Sequence, residues 1–266
     1  MGKFDGILIC TDLDGTLYKN DKTVSDENRK AIEYFKREGG YFTFVTGRMP
    51  YYSMDAYRAA RPNVPFGCIN GGGIYDGEGH KYIWQLELPK KALELVRHID
   101  ERFSHVGIQL CAFEKTYFAK ENVTTARHRL ITGIPNYTCD YRDFSEPLGK
   151  VMFCTDVEEE ILAVERELRA HRLSSEFDFI RSEKALFEIL PKGVNKGLGL
   201  RKLAEFLGVD MSRTVAVGDY DNDAAMLKEA GIGFAVLNAS PAALMVADKV
   251  TVSNEEHALA RIISEL

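Results

Sequence analysis

The sequence predicts an α/β fold, a doubly wound parallel sheet interrupted by an inserted α+β domain. Three observations carry that prediction. Short apolar runs alternate with segments of helical period up to about residue 70, and again from residue 193. Between them the alternation gives way to hairpin-like strands and two long helical segments. Acidic and glycine-rich clusters sit at the ends of the apolar runs, where ligands bind in open parallel sheets.

Each element follows from local pattern. Residues 7–11 are a continuous apolar run ending on an acidic turn, as in a strand buried on both faces. Ser25 precedes an acidic first turn, Asp26 and Glu27. Ala31, Ile32 and Phe35 then share a face, and Gly39 and Gly40 close the helix. A strand over 41–45 leads into Thr46-Gly47-Arg48, then a helix over 51–60. A third strand over 66–69 runs into Asn70-Gly71-Gly72-Gly73. Strand–helix–strand order with short links builds a parallel sheet with helices on both faces. Residues 75–82, with Asp76-Gly77 and Glu78-Gly79, read as a hairpin.

Helices over 89–103 and 157–171, with strands over 106–113, 116–119, 150–155, 177–180 and 186–190, define the insertion, 85–189. Residues 121–148, broken by Pro135 and Pro147, carry no assignable period. Their Arg127, His128 and Arg129 read either as a solvated cluster or as a contact for an anion. From Gly193 the alternation returns. Asn195 caps a helix over 196–207 that Gly208 ends, and a strand over 214–217 precedes Gly218-Asp219-Tyr220-Asp221-Asn222-Asp223 and a helix to Ala230. A strand over 233–236, a helix over 241–246, a strand over 250–252 and a helix over 255–265 follow. The expected architecture is therefore a Rossmann-like core, 1–84 and 190–266, with an α+β insertion at 85–189.

Composition narrows the function. The 266 residues are 45% hydrophobic and 28% charged, enough for a substantial core, and the net charge of −6 argues against nucleic acid. Cys10, Cys68, Cys111, Cys139 and Cys154 are odd in number and dispersed, which predicts reduced, mostly buried thiols. The acidic N-terminus does not read as a signal peptide, and no apolar run approaches membrane-spanning length. Met1-Gly2 lacks the Ser or Thr at position 6 that myristoylation wants, where Gly6 stands. Cytoplasm is the expected location, with no membrane partner.

Four segments carry chemistry. Asp12-Leu13-Asp14-Gly15-Thr16 places two carboxylates just past a buried strand, a costly arrangement unless a cation compensates; the alternative is a pair of surface turn acids. Thr46-Gly47-Arg48 offers a hydroxyl, a pliant backbone and a cation suited to a phosphoryl oxygen, or is only a turn. Lys196 opens a helix, where the macrodipole disfavours a cation unless an anion binds there; otherwise it is a solvated lysine. Asp219, Asp221 and Asp223 fall within five residues after a strand, pointing to a cation, with helix capping by Asp221 as the alternative. A helical path between Asp219 and Asp223 would aim both to one side.

In order and spacing these four segments resemble the motifs of the haloacid dehalogenase superfamily. Asn70-Gly71-Gly72, the run 191–197 and Val236-Leu237-Asn238-Ala239 resemble its Cof-type subfamily. Residues 254–259, Asn-Glu-Glu-His-Ala-Leu, depart from the small, glycine-containing segment many relatives keep, so the end of the core is expected to pack differently.

The resemblance implies a Mg²⁺-dependent phosphatase in which Asp12 is the nucleophile and Asp14 the general acid–base. It implies metal binding by the Asp12 carboxylate, the Asp14 main-chain carbonyl and Asp219, with Asp223 behind them. Leu13, Thr46, Gly47, Lys196 and Asn222 match groups that hold phosphoryl oxygens. Phosphoryl transfer needs positioning and charge stabilisation above all, and Lys196 with a cation would lift the repulsion between Asp12 and an anionic substrate. The implied partner is a small-molecule phosphate ester, a sugar phosphate first, acted on by a monomer or homodimer. The insertion is a cap that sets specificity, moving on hinges near 83–86 and 188–192. The alternatives are a phosphotransferase or mutase, or a catalytically silent binding relative.

Overall fold

The computed structural model describes residues 2–266. Met1, where the expected core and the lipid-attachment motif begin, lies outside the described residues. β1 (Leu8–Thr11) is buried on both faces. α1 (Asp26–Arg37) starts where Ser25 Oγ accepts the Asn28 N–H at 3.2 Å, and it buries Ile32 and Phe35. β2 (Tyr41–Phe44) follows, then α2 (Met54–Ala60). β3 (Phe66–Cys68), β4 (Gly73–Asp76) and β5 (Lys81–Gln85) form a small sheet of their own.

That small sheet corrects one expectation, because β3 does not extend the parallel sheet. Its parallel contact with the preceding strand is one bridge, Val45 to Gly67, and its register is antiparallel with β4. The cause is local. Ile69 and Asn70 both take left-handed backbone, with φ of 54° and 52°, and the chain doubles back.

The inserted segment runs α3 (Ala92–Arg102), β6 (Gly107–Ala112), β7 (Thr116–Lys120), α4 (Val123–Thr132), β8 (Tyr137–Thr138), β9 (Leu148–Cys154), α5 (Glu158–Ala170), β10 (Phe177–Glu183) and β11 (Leu186–Pro191). Its sheet order is β10-β11-β9-β6-β7-β8, antiparallel except between β7 and β8. Ile108, Leu110, Val151, Phe153, Phe187 and Ile189 share a core with Leu95 and Ile99 of α3 and Val164 and Leu168 of α5. Each such side chain fully removed from water contributes about 1.5–3 kcal/mol.

α4 is an element the sequence reading did not assign. Asn122 and Thr125 close a reciprocal capping box and Gly133 ends the helix in left-handed backbone, signals present in the sequence but masked by a weak apolar stripe. Its basic residues are engaged within this segment. Arg127 pairs with Asp156 at 2.6 Å, Arg129 with Glu121 at 3.2 Å, and His128 meets Gln109 at 3.2 Å.

The chain returns through α6 (Lys196–Leu207), β12 (Thr214–Gly218), α7 (Ala224–Glu229), β13 (Ile232–Ala235), α8 (Pro241–Val246), β14 (Lys249–Val250) and α9 (Ala258–Glu265). The main sheet has the order β14-β13-β12-β1-β2, all parallel. Leu8 and Cys10 pack with Leu200 and Leu203 of α6 and Met226 and Leu227 of α7. The chain separates into two compact units, Met1–Trp84 with Asn195–Leu266, and Gln85–Val194. The second reaches past residue 189 because β11 stays in register with β10 through Pro191. None of the five cysteines is in a disulfide, and four are buried. No helix among the described residues is long and apolar enough to cross a membrane.

The final helix is shorter than its pattern suggests. Residues 254–256 make a tight turn, and His257 sits at φ 63°, ψ 49° before α9 begins. A side chain in left-handed backbone costs roughly 1–2 kcal/mol, part of which glycine would give back as extra chain entropy in the unfolded state. His257→Gly is therefore expected to stabilise by about 0.5–1 kcal/mol, a rise of roughly 1–3 °C in melting temperature. A lower melting temperature would show that the ring's contacts, including Glu27 at 3.5 Å, outweigh the strain.

Candidate active site

β1 lies inside the parallel sheet, between β12 and the edge strand β2, with Thr11 level with Val217 of β12 and with Phe44 of β2. The segments following these three strands therefore emerge side by side, which brings Asp12, Asp219 and Thr46 to one edge. Asp12 is anchored by its own N–H, which donates to the Val217 carbonyl at 2.8 Å.

α6 delivers Lys196, 1% exposed, capped in place by Asn195, whose side chain accepts the Leu198 N–H at 2.9 Å. Its Nζ donates to Asp12 Oδ1 and to Asp223 Oδ1, both at 2.6 Å. The solvated-lysine reading is thus excluded. Asp12 Oδ2 takes no hydrogen bond among the described residues. Asp12, Asp219 and Asp223 each place an oxygen within 4.8 Å of the others.

Burial pushes the Asp12 carboxyl up to about 8, against the pull of Lys196, with Asp223 and Asp219 pushing the same way as burial. The Asp219 carboxyl is pushed up to about 6, by burial first and then by Asp223. For Lys196 burial acts downward, yet the carboxylates of Asp12 and Asp223 outweigh it and hold the ammonium charged. Three carboxylates against one ammonium leave the cluster two charges negative when all are ionised. A divalent cation with oxygen ligands fits that deficit, and Mg²⁺ favours such a donor set.

Asp219 and Asp223 come together by a route other than helical periodicity. Tyr220 between them is extended, and Asp223 Oδ2 accepts the N–H groups of Asp219 and Tyr220, both at 3.0 Å. Asp223 is thereby spent on Lys196 and the backbone, which suits a supporting place. Asp219 Oδ1 accepts from Thr16 Oγ1 at 2.8 Å. Asp221 is not the cap. Its Oδ1 accepts from Ser240 Oγ at 2.7 Å.

The loop after β1 makes one wide turn, Leu13–Leu17, with Asp14 and Gly15 out of helical geometry. Gly15 has φ 77°, and a Cβ there would stand 2.5 Å from Asp219 Oδ2. Gly15→Ala is accordingly expected to destabilise by about 1–2 kcal/mol or more, read as a lower urea midpoint at unchanged slope. An unshifted midpoint would mean the loop relaxes freely.

Asp14 points away from the lysine cluster into a cationic clamp, Arg48 Nη2 at 2.6 Å and Lys22 Nζ at 2.8 Å. Burial pushes its carboxyl up, but Arg48 and Lys22 outweigh that and hold it below the usual range. Arg48, read in the sequence as a cation for a phosphoryl oxygen, is thus engaged with Asp14. Lys22 was not singled out at all, and nothing in its neighbours marks it.

Thr46 is buried, and its Oγ1 accepts the Arg48 N–H at 3.3 Å, so its own O–H is left to donate. Asn222 Nδ2 donates to Asn70 Oδ1 at 3.3 Å, and a Cβ on Gly47 would lie 2.9 Å from that same oxygen. Asn70, at positive φ, therefore holds Asn222 and packs closely against Gly47. Leu13 is fully buried behind them. The arrangement offers an oxygen nucleophile beside a buried cation, a second carboxyl on a separate clamp, and hydroxyl and amide donors around them.

The family model described as haloacid dehalogenase-like hydrolase matches residues 9–263. The chain is 29% identical over 266 residues to a 5-amino-6-(5-phospho-D-ribitylamino)uracil phosphatase of Bacillus subtilis, covering 97% of this chain and 96% of the relative. A second enzyme of that name from the same species is 30% identical over 263 residues, covering 96% and 94%. The solved structure of a haloacid dehalogenase-like hydrolase from Bacteroides thetaiotaomicron aligns with a TM-score of 0.84 at 26% identity, covering 97% and 98%.

Proposed function

Since the chain belongs to the haloacid dehalogenase-like hydrolases and is a phosphatase, we propose that it hydrolyses small phosphate monoesters with Mg²⁺ through a phospho-aspartyl intermediate on Asp12. One observation carries this reading. The buried ammonium of Lys196 holds one oxygen of Asp12, and the other oxygen is left without a hydrogen bond among the described residues, just past the carboxyl end of β1.

Asp12 Oδ2 attacks phosphorus as the ester P–O bond breaks. Asp14, held ionised here by Arg48 and Lys22, takes up a proton from solvent when substrate draws those cations away. It gives that proton to the departing oxygen, then as carboxylate takes one from the water that attacks the phospho-aspartate and frees Asp12 and phosphate. Lys196, the Thr46 hydroxyl, the backbone at Leu13 and Gly47, and Asn222 hold the phosphoryl oxygens. The Asp12 carboxylate, the Asp14 main-chain carbonyl and Asp219 would hold Mg²⁺, with Asp223 behind. When bound, the metal supplies positive charge that lets an anionic phosphate approach an anionic nucleophile.

Sugar phosphates are the first substrate class. The second is the ribityl phosphate that names two relatives, also a phosphate on a polyol chain. Residues 85–189 are assigned the choice between them as a cap. The protein is placed in the cytoplasm as a monomer or homodimer, with neither nucleic acid nor membrane as partner.

The test is phosphate release from a panel of sugar, polyol and cofactor phosphates. Activity is expected to vanish in chelator, return with Mg²⁺, and be inhibited by Ca²⁺, whose looser and higher coordination disturbs in-line geometry. Full activity in excess chelator would sink the metal assignment. Transfer of the phosphoryl group to a sugar acceptor in preference to water would move the chain to the phosphotransferase reading.

A further inference from the structure

The loop that carries Asp14 has broken its own hydrogen-bond ladder. Within it the Tyr18 N–H reaches the Leu13 carbonyl at 2.8 Å, while two of its carbonyls turn outward to partners far along the chain. Asn238 Nδ2 donates to the Gly15 carbonyl at 2.9 Å, and Asn254 Nδ2 donates to the Tyr18 carbonyl at 2.9 Å. The two asparagines are joined, because the Asn254 N–H donates to Asn238 Oδ1 at 3.0 Å.

The same stretch reaches the other acidic loop. The Ser240 N–H donates to the Asp219 carbonyl at 2.7 Å. Beyond Asn254, Glu255 Oε1 accepts the Asn20 N–H at 2.6 Å, which holds the turn that presents Lys22 to Asp14. Residues 238–240 thus fasten both halves of the acidic cluster, and 254–255 fasten the turn behind it.

Resting on the assignment of Asp12 and Asp14 above, we propose that Asn238 and Asn254 are positioning residues for phosphoryl transfer, a brace that fixes the acid-bearing loop from outside the site. Asn254 is buried, so without it the Tyr18 carbonyl is left with no partner. Asn238 is exposed, and an exposed amide bond adds little to global stability because water replaces it. Its use at both ends of the side chain is explained by placement. The amide donates to Gly15 and accepts from Asn254 at once; an ionised aspartate of the same shape accepts only, and sets its charge against the Gly15 carbonyl. In-line transfer is intolerant of such movement, since a misplacement of about 1 Å can cost roughly 10²-fold.

The experiment compares the full-length wild type, Asn238→Asp, Asn238→Ala, Asn254→Ala and the double alanine variant. Turnover of p-nitrophenyl phosphate with Mg²⁺, melting temperature and amide hydrogen exchange of residues 13–24 are measured together. Asn238→Asp is expected to lower kcat by about 10- to 100-fold with KM within about threefold. Its melting temperature should stay within about 3 °C of the wild type while exchange of the loop quickens. Because the asparagines form one chain, the double variant should lose little more than Asn254→Ala alone.

Unchanged kcat and unchanged loop exchange in a folded Asn238→Asp overturn the brace. So does a kcat loss that merely follows a fall in melting temperature across all the variants. A wild type that releases no phosphate from any ester overturns the active-site reading and the catalytic half of this one. The brace itself then still stands or falls on the exchange of residues 13–24.

Discussion

Asp12→Asn is expected to remove turnover, a loss of roughly 10⁴- to 10⁶-fold by comparison with other nucleophile replacements, while the protein stays folded. The substitution deletes the attacking oxygen and adds almost no volume. The amide oxygen can still accept from Lys196, which also keeps Asp223 at 2.6 Å. Removing one of three crowded carboxylates around a single ammonium relieves repulsion, so stability should hold or rise. Phosphate release with Mg²⁺ and a thermal melt on the same sample decide it. A folded Asp12→Asn within tenfold of wild-type turnover would end the covalent mechanism.

Asp14→Asn should separate acid–base work from metal binding. The assigned ligand atom is the main-chain carbonyl of Asp14, which the substitution keeps, whereas the side chain is assigned to protonating the leaving oxygen. A sugar alkoxide needs that proton and p-nitrophenolate hardly does. General acid help is typically worth about 10²–10⁴-fold, so a sugar phosphate should lose that much in the first chemical step and p-nitrophenyl phosphate far less. The variant should also accumulate phospho-Asp12, because the same group activates water in the second step. The comparison therefore uses the pre-steady-state burst. Equal losses for both substrates, tracking weaker Mg²⁺ binding, would make Asp14 a metal-site residue only. The clamp by Arg48 and Lys22 adds a control, since an uncharged Asn frees both cations and any shift in KM then reports on them.

Much of the fold was legible because its signals are local. A buried strand shows as an apolar run, and β1 is buried at every position. The Ser25 and Asn195 caps and the Gly208 terminus sit where short-range hydrogen bonding puts them. α4 escaped because its stripe is weak although its cap is well formed, so apolar period was the poorer guide there. β3 was legible as a strand, but its pairing was not, because two successive left-handed residues after it turn the chain back into an antiparallel partner.

By itself the sequence determined the α/β class, the interrupted order of elements, and four acid- or cation-bearing segments at strand and helix ends. Those follow from side-chain period, backbone capping and the chemistry of neighbouring residues, which act over a few positions. Only the tertiary structure decided what those groups touch. It placed Arg48 on Asp14 across 34 residues, Thr16 on Asp219 across 203, and Asn254 on the Tyr18 carbonyl across 236. It also brought Asp223 to Asp219 through backbone N–H groups rather than helical spacing. The physical reason is that a side-chain hydrogen bond depends on where two distant backbones end up in register. That register is set by the packing of β1 between β2 and β12, not by residues adjacent in the chain.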